Sequence, residues 1–240
     1  MVDAPVSPLE HQQIEVTRGA AQTYWHRVRF ELVVAEADAL GVDRVLDVGA
    51  GSGLLGDWIT AHRPDLRYSF AEASPVLRTG LVRRFGAGAE DDRAAPVRRG
   101  TVVAMLDVLE HIEDDHAVLA DLHRRMEPGS HLVITVPAMQ WAFSTWDTGL
   151  GHFRRYSRRA LRTTIAAAGF DVRSTSYLFP ELFPLLLVRQ VRRAPREQVD
   201  FPVLGRRVNA AGYRVASLTT AARRIWPFGT SVVAVAARRS

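Results

Sequence analysis

An apolar run that ends in a glycine-rich turn is the clearest indication of the fold: Val45-Leu46-Asp47-Val48-Gly49-Ala50-Gly51-Ser52-Gly53. The apolar residues around Asp47 are typical of the end of a buried parallel strand. Three glycines at alternate positions predict a tight turn that leaves the backbone open to a ligand, because no Cβ covers it. The residues that follow, 54–59, predict a helix. A strand, a glycine turn and a helix bring a nucleotide-like ligand against backbone amides at the edge of an open α/β sheet.

The spacing of these glycines indicates which ligand the turn takes. A dinucleotide-binding turn has the pattern G-x-G-x-x-G, whereas this turn reads D-x-G-x-G-x-G, with an acid inside the motif. This form resembles motif I of the class I S-adenosylmethionine (SAM) methyltransferases. The resemblance implies that Gly49, Gly51 and Gly53 approach SAM, and that Asp47 faces its cationic methionine part. A glycine-rich turn without a ligand is the alternative.

Length and composition indicate one enzyme-sized domain. A chain of 240 residues suits one large α/β domain and is short for two. It contains no cysteine, which excludes disulfides and thiolate metal sites. The N-terminus has no apolar signal core, and no apolar run reaches the roughly 18 residues of a membrane span. We therefore expect a cytoplasmic protein.

The charge of the chain is divided unevenly. The chain contains 31 arginines and no lysine. Residues 1–150 carry 14 arginines and 22 acidic residues, whereas residues 151–240 carry 17 arginines and 4 acidic residues. Such an excess of positive charge indicates an anionic partner for the C-terminal part. A phosphorylated or carboxylate substrate, an acidic membrane surface and RNA each meet this condition.

Helical periodicity runs over about residues 9–40, where apolar side chains recur at three- and four-residue steps. Near the middle of this region, Tyr24 and Trp25 lie among arginines. These two aromatic residues either pack on the core or line the substrate side of the SAM pocket, as part of an N-terminal cap.

A second strand is predicted at residues 66–71, directly before Glu72. Nucleotide-binding α/β folds place an acid near this position to accept hydrogen bonds from ribose hydroxyls, so Glu72 is our candidate ribose ligand. The next segment carries little pattern. Family members usually have a short third strand that ends in an acid. The resemblance therefore implies a strand at residues 87–90 and Asp91 as a partner of the adenine amino group.

The next predicted strand, residues 101–106, places Leu106 beside the cofactor and runs directly into Asp107. Asp107, Glu110 and His111 are spaced i, i+3 and i+4, which puts them on one face of a helical turn. The Leu-Glu-His sequence resembles the quinone-biosynthesis O-methyltransferases and a bacterial branch related to them. In that family this turn lines the substrate pocket, and in some members it binds a divalent cation.

His111 is our general-base candidate, with Glu110 and Asp107 as its catalytic partners, because an unperturbed histidine titrates near neutral pH. Two alternatives stay open. The three residues could ligate Mg²⁺ or Zn²⁺, although magnesium sites seldom use histidine. Glu110 and His111 could also only cap or orient the loop.

Residues 139–156 form a long segment after the predicted fifth strand, and long loops at such places are usually functional. The Gly-His-Phe-Arg-Arg-Tyr sequence at its end also occurs in the related bacterial branch. We expect a substrate lid whose aromatic residues exclude water and whose polar residues grip an anionic or oxygen-bearing group. The candidates are Trp141, Trp146, Arg154 and Arg155 for substrate binding and His152 and Tyr156 for catalysis. One of the arginines is expected to be structural.

The C-terminal part is predicted to hold two more strands, near residues 170–176 and 229–237, with helices between them. Residues 177–188 are almost wholly apolar but too short to span a bilayer. They form either a core helix or a channel or membrane-facing patch with a basic rim. A last amphipathic helix is indicated by apolar residues at helical spacing, namely Val208, Ala211, Val215, Leu218, Ala222 and Ile225.

These patterns together predict a doubly wound, mostly parallel α/β sheet of seven strands, a Rossmann-like methyltransferase fold. The predicted organisation is an N-terminal helical cap at residues 1–40 and a SAM-binding domain at residues 41–240, with an insertion at about 177–226. The predicted activity is methyl transfer from SAM to a small, partly apolar and anionic acceptor of natural-product, quinone or isoprenoid type. Peripheral membrane contact and a divalent metal stay open. An RNA methyltransferase and a non-catalytic SAM-binding partner protein are the alternatives.

Overall fold

A computed structural model describes residues 23–192 and 204–238. The predicted start of the first helix, at residues 9–22, lies outside the described residues. The helices are α1 (Tyr24–Leu40), α2 (Leu54–His62), α3 (Pro75–Phe85), α4 (Asp115–Arg125), α5 (Thr145–Gly149), α6 (Arg158–Ala167), α7 (Phe183–Arg192) and α8 (Arg206–Ala221). The strands are β1 (Arg44–Val48), β2 (Arg67–Ala71), β3 (Thr101–Leu106), β4 (His131–Pro137), β5 (Asp171–Leu178) and β6 (Ser231–Ala237).

The described strands form one six-stranded sheet in the order β2-β1-β3-β4-β6-β5. Strands β2, β1, β3 and β4 pair in parallel, and β6 runs antiparallel between β4 and β5. Parallel pairing follows from the alternation of strands and helices, because each helix returns the chain to the edge where the next strand begins. The carboxyl ends of β1 to β5 therefore meet at one edge, here called the C-terminal edge.

Helices cover both faces of this sheet, as the predicted doubly wound fold requires. On one face α1, α2 and α8 bury a cluster that includes Val33, Trp58 and Val133. On the other face α4 and α6 bury a cluster that includes Leu132 and Leu161. Neighbouring residues of β4 thus point to opposite faces, as in any strand buried on both sides. Helix α1 is therefore part of the helical layer that covers this face of the sheet.

The predicted strand at residues 87–90 is not formed, and this reduces the sheet from seven strands to six. Ala87–Ala89 make a single 3-10 turn, and Glu90 pairs with Phe70 in one isolated parallel bridge. The physical reason is local. Alternating alanine and glycine offer no β-branched or aromatic side chain to pack on a sheet surface.

Helix α8 is amphipathic, but its apolar stripe does not face the core. Its packed side carries small residues: Ala216 is fully buried, and a Cβ added to Gly212 would lie 2.6 Å from the ring of Tyr24. Val215 and Leu218 are exposed instead. The periodicity predicted a helix with two unlike faces, and close contact with α1 selected the side with the smaller side chains.

Helix α7 presents a second exposed apolar surface. Pro184 to Val188 are all apolar, and Leu185, Leu187 and Val188 are exposed. Over residues 23–192 and 204–238, no helix has both the length and the apolar character that a bilayer crossing needs.

The entry into β6 generates a prediction about stability. A Cβ added to Gly229 would lie 2.2 Å from the carbonyl oxygen of Leu178. Leu178 of β5 pairs with Ser231 of β6. We expect Gly229→Ala to lower the free energy of unfolding by about 1–3 kcal/mol, because the backbone cannot move away without disturbing the β5–β6 pairing. Urea denaturation measures the change.

The matched control is Gly80→Ala in α3, where nothing lies within 4 Å of the new Cβ. Alanine has the higher helix propensity, so this control should be neutral or slightly stabilising. Equal stability of Gly229→Ala and the unsubstituted protein would contradict the described packing at this turn.

Candidate functional site

The glycine turn after β1 has a backbone that only glycine adopts easily. Gly49, Gly51 and Gly53 have φ angles of +74°, +55° and +80°. A Cβ at Gly49 would lie 2.7 Å from Cγ2 of Val108, and one at Gly53 would lie 2.6 Å from Cδ2 of Leu81. Both the conformation and the available space therefore exclude larger residues. The turn lies at the C-terminal edge, where Val108 packs over Gly49, and Gly51 and Gly53 are buried.

Glu72 lies across this turn, at the end of β2. Its carboxylate accepts hydrogen bonds from the backbone N–H of Gly51 at 2.7 Å and of Ser74 at 2.8 Å. A carboxylate has about four acceptor positions, so these two bonds leave capacity for ligand hydroxyls. The geometry is compatible with the predicted ribose contact and places it directly against the glycine turn.

Asp47 is buried beneath the turn. Burial raises its pKa to about 7, a hydrogen bond from Tyr68 opposes this increase, and the charge of Glu72 adds to it. The Tyr68 hydroxyl donates to Oδ2 of Asp47 at 3.0 Å. A cationic ligand group nearby would favour the ionised form of Asp47, because opposite charges lower the pKa of a carboxyl group.

Asp91 and Leu106 complete the predicted cofactor residues. The Asp91 carboxylate is 2.6 Å from Nη2 of Arg125, and its backbone N–H donates to the carbonyl of Phe70. The structure thus gives Asp91 an arginine partner, where the prediction had a carboxylate open to adenine. Leu106 ends β3 half-buried at the C-terminal edge.

The chain leaves β3 through a strained residue. Asp107 has a φ angle of +55°, a conformation that residues other than glycine rarely adopt. Its carboxylate is 2.8 Å from Nη2 of Arg29 on α1 and accepts a hydrogen bond from the Thr135 hydroxyl at 3.1 Å. Its backbone N–H donates to the carbonyl of Thr135 at 2.9 Å. These contacts hold Asp107 in a conformation that would otherwise relax.

Glu110 and His111 follow in a 3-10 turn, Leu109–His111. Glu110 is 1% exposed, and burial, reinforced by the charge of Asp107, raises its pKa well above the ordinary value. Burial and then His152 lower the pKa of His111 to about 4, although hydrogen bonds to the backbone of Gly151 and Leu150 oppose this shift. At neutral pH His111 is therefore uncharged, and the environment of Glu110 favours its protonated form.

The segment after β4 meets this turn directly. The rings of His111 and His152 are 4.6 Å apart and edge to face. The backbone N–H of Phe153 donates to the carbonyl of Glu110 at 2.8 Å. The two predicted clusters thus come from distant parts of the sequence and lie together at the C-terminal edge.

His152 is oriented by a buried carboxylate. Its Nδ1 is 3.0 Å from Oδ1 of Asp147, and Nε of Arg155 is 2.7 Å from the same oxygen. Burial alone would raise the pKa of Asp147, but the bonds from His152 and Arg155 together hold it below its ordinary value. In the neutral tautomer in which Nδ1 of His152 donates to this carboxylate, Nε2 is an acceptor.

Arg154, Arg155 and Tyr156 hold the segment to the rest of the protein. Arg155 also donates to the carbonyl of Ala138, while Arg154 lies 3.0 Å from Asp115. The Tyr156 hydroxyl donates to Asp115 at 2.7 Å, and burial raises its pKa. One structural arginine was expected, and the structure gives both of them, and the tyrosine, protein partners in place of an open substrate-facing position.

The predicted aromatic substrate residues lie in different surroundings. Tyr24 is buried between α1 and α8, with its ring 6.5 Å from Phe179, and Trp25 packs edge-on against it at 5.2 Å. Trp141 is exposed beside α7, and Trp146 is half-buried in α5. Tyr24 is therefore a core residue. The residue of α1 that contacts the site is Arg29.

Arg29, Tyr68 and Asp147 were not predicted as site residues. Asp147 carried a usable signal, because it is the one acidic residue between Glu127 and Asp171, a region rich in arginine and histidine. A single carboxylate among several cations is expected to pair with them. Tyr68 and Arg29 carried no such signal, since their partners lie on other strands.

Comparison with known proteins places these features in a family. The model of the family described as "Methyltransferase domain" matches residues 22–175. The ubiquinone biosynthesis O-methyltransferase of Proteus mirabilis (strain HI4320) is 23% identical over 144 residues, which are 52% of this chain and 59% of that protein. The chain thus aligns with less than two thirds of the length of this relative.

Two solved structures resemble the whole described fold. The [4+2]-cyclase SpnF is 16% identical, with a TM-score of 0.58 and 98% of each chain covered. A structure of the Trm112 methyltransferase activator of Haloferax volcanii in complex with a putative methyltransferase gives 14% identity and a TM-score of 0.56, with 96% of this chain and 94% of that chain covered. At these identities the likeness shows the fold alone.

The ion pair of Arg29 and Asp107 yields a prediction. Arg29→Met keeps the aliphatic packing but leaves the Asp107 carboxylate without its cation, which should lower the free energy of unfolding by about 1–3 kcal/mol. Adding Asp107→Asn should recover part of that loss, because the unpaired charge is then removed. A double-mutant cycle by urea denaturation measures the coupling. A coupling energy of zero would contradict the described pair.

Proposed function

The chain belongs to the methyltransferase-domain family, and from this premise we propose that it transfers a methyl group from SAM to a small acceptor. One observation carries the proposal: the glycine turn and the turn that bears Glu110 and His111 lie side by side, with Val108 packed over Gly49. When bound, SAM supplies a methyl group already activated by the positive charge on its sulfur, and S-adenosylhomocysteine is the product.

The residues at the C-terminal edge fit this cofactor. The turn of Gly49, Gly51 and Gly53 runs through the left-handed region at this edge, and Glu72 lies beside it as the proposed ribose acceptor. We assign the contact with the cationic methionine part to Asp47, because its ionised form becomes available near neutral pH. Leu106 would flank the cofactor from β3.

On the acceptor side, we assign to His111 the role of general base for the acceptor hydroxyl. This ring is uncharged at neutral pH, so it can accept a hydrogen bond from an acceptor hydroxyl, but its lowered pKa makes it a weaker base than an ordinary histidine. In its protonated form, which burial favours, Glu110 can donate a hydrogen bond to an acceptor oxygen. His152 would add a second acceptor through the nitrogen that Asp147 leaves free. These three side chains orient the acceptor against the methyl group.

We propose an acceptor that is small and partly apolar, of natural-product, quinone or isoprenoid type. The exposed ring of Phe153, whose backbone N–H bonds to Glu110, supports its apolar part, and the name of the Proteus mirabilis relative supports the quinone class. Arg154 and Arg155 already pair with Asp115 and Asp147, so these two arginines do not indicate an anionic acceptor. The proposed negative charge of the acceptor rests on the arginine excess of residues 151–240.

The same cluster also fits a divalent cation, and one observation favours this second use. Oε2 of Glu110 is buried without a hydrogen-bond partner among the described residues. Ligand atoms of Glu110, His111 and His152 all lie within 4.8 Å of one another. Two imidazoles and one carboxylate suit zinc or iron(II) better than magnesium. A cation held by Glu110, His111 and His152 would lower the pKa of an acceptor hydroxyl.

Calorimetric titration with SAM and S-adenosylhomocysteine tests the cofactor assignment. Gly51→Val should weaken binding at least about tenfold, because its positive φ angle and the ligand both require a bare Cα. Glu72→Ala should weaken binding by about 1–3 kcal/mol, the cost of losing hydrogen bonds to a charged group.

Two variants serve as controls for this titration. Gly41→Val introduces a similar backbone strain at the end of α1, far from the turn, and Glu90→Ala removes the next acid in the chain. Both should bind SAM as the unsubstituted protein does. The absence of any binding heat with either ligand to the unsubstituted protein would end the proposed function.

The pH dependence of turnover tests the role of His111. Its pKa of about 4 means that the uncharged form is fully present above about pH 5 and is lost only as the pH falls through 4. We therefore expect kcat/KM to show no step near 6.5, where an ordinary histidine titrates. The assay follows labelled methyl groups from SAM into a bacterial metabolite extract by mass spectrometry.

His111→Ala should lower kcat by about 10²–10⁴-fold while SAM affinity stays unchanged. The control His116→Ala removes an exposed histidine of α4 and should have no effect. Repeating the assay after treatment with a chelator separates the two uses of the cluster, since loss of activity there identifies the metal site and unchanged activity identifies the general base. Full activity in His111→Ala would contradict both.

A further inference from the structure

The outer face of α8 carries an apolar stripe that no described residue covers. Val208, Val215 and Leu218 are 60%, 46% and 73% exposed, and Ile225, just beyond the helix, is 76% exposed. Val208, Val215 and Leu218 are spaced by seven and three residues, which places them on one side of the helix. A soluble surface rarely gathers large aliphatic side chains in this way without a binding role.

Helix α7 extends this exposed apolar surface. Both α7 and α8 contact the turn Pro180–Leu182, and the rings of Phe183 and Phe228, which flank them, are 4.7 Å apart. Leu185 of α7 is exposed next to this contact. The two helices therefore present their aliphatic side chains from adjoining parts of the molecule.

A basic pocket lies between α1 and α8, and one of its arginines, Arg214, precedes Leu218 by one helical turn and so borders the stripe. It is open, has a volume of about 350 Å³, and is lined in part by Arg27, Arg206, Asn209, Tyr213 and Arg214. Arg27 stacks on the ring of Tyr213 at 3.7 Å. Within the described ranges neither Arg206 nor Arg214 takes part in an ion pair. Arg27 pairs with Glu31 at 2.9 Å, so the positive charge of the pocket that no described residue neutralises comes from Arg206 and Arg214.

We propose that this face of the protein docks on an anionic phospholipid bilayer. The aliphatic stripe enters the boundary between headgroups and acyl chains, and the arginine pocket receives a lipid phosphate. Arginine suits this role because its planar fork of N–H donors matches the oxygen atoms of a phosphate. The proposal rests on the exposed stripe and the pocket, and it does not depend on methyl transfer.

The charge of the helix selects the bilayer over a second copy of the chain. Residues 204–238 contain no aspartate or glutamate, whereas Arg207 and Arg214 lie on the same side of α8 as Leu218. Heptad-like spacing would also suit helix pairing, but two copies of α8 would bring arginines together without an acidic partner. An anionic lipid surface supplies the missing negative charge.

The aliphatic character of the stripe selects the bilayer over RNA. Proteins that hold single-stranded nucleic acid stack bases on aromatic side chains, and the exposed stripe of α8 is made of valine, leucine and isoleucine. Such side chains gain free energy from burial in hydrocarbon instead. Stripe and pocket therefore agree on an apolar surface with anionic headgroups.

Flotation of the full chain with lipid vesicles tests this proposal. We expect binding to phosphatidylcholine vesicles that contain phosphatidylglycerol to be at least about tenfold stronger than to phosphatidylcholine alone, and to weaken as salt is added. Val215→Asp with Leu218→Asp should lower binding at least about tenfold. Arg206→Glu with Arg214→Glu should do the same. All four positions are exposed, so folding should be unaffected.

Matched controls come from α3. Val76→Asp replaces an exposed valine and Arg83→Glu an exposed arginine, and both variants should bind vesicles normally. Equal binding to neutral and anionic vesicles would overturn the proposal. So would unchanged vesicle binding in the Val215→Asp, Leu218→Asp variant, while circular dichroism shows that each variant is folded.

Three further measurements distinguish a bilayer from other occupants. If calorimetry shows that inorganic phosphate binds in the pocket while the protein does not bind vesicles, the pocket is a free-phosphate site and the proposal is overturned. Tight binding of polyuridylate that ignores the Leu218→Asp substitution would likewise overturn it in favour of RNA. Sedimentation equilibrium that shows a dimer lost in Leu218→Asp, without vesicle binding by the unsubstituted protein, would assign the stripe to a second copy.

Discussion

The contact between Gly49 and Val108 is the constraint on which the site depends. Because Gly49 has no Cβ, the Val108 side chain occupies the space above it and joins the end of β1 to the end of β3. The backbone turns through the left-handed region on both sides of this contact, at Gly49 and at Asp107. The cofactor turn and the turn of Glu110 and His111 are thereby held next to each other.

Paired charges keep this arrangement in place. Arg29 pairs with Asp107 and Arg155 pairs with Asp147, while burial favours the protonated form of Glu110. The charges of these two ion pairs therefore largely cancel, and the proposed recognition of the acceptor depends on hydrogen bonds and shape. Among the described residues, Arg206 and Arg214 have no ion pair and lie in the pocket between α1 and α8. The proposed catalytic site and the proposed binding site for anionic lipid thus lie on different parts of the surface.

The sequence predicted most of the fold and the place of the site, because those features depend on short local patterns. The glycine spacing, Glu72 at a strand end and the i, i+3, i+4 spacing after residue 106 each follow from local backbone geometry. Since parallel strands share one edge, the meeting of His111 and His152 was also predictable. The roles of these residues stay predictions.

What could not be predicted depends on long-range packing. Arg29 and Asp107 lie far apart in the sequence, and no local pattern links them. The periodicity of α8 shows two unlike faces but not which face is covered, since that depends on whether α1 accepts large or small side chains. The strand expected at residues 87–90 came from family resemblance, and its alanine and glycine residues do not support one.

A crystal structure of the protein with S-adenosylhomocysteine would show whether the glycine turn binds the cofactor beside His111 and His152. We expect the ligand against the turn of Gly49, Gly51 and Gly53, with its ribose hydroxyls bonded to Glu72 and its sulfur facing His111 and His152. A ligand bound elsewhere, or a glycine turn left empty at saturating concentration, would contradict this expectation.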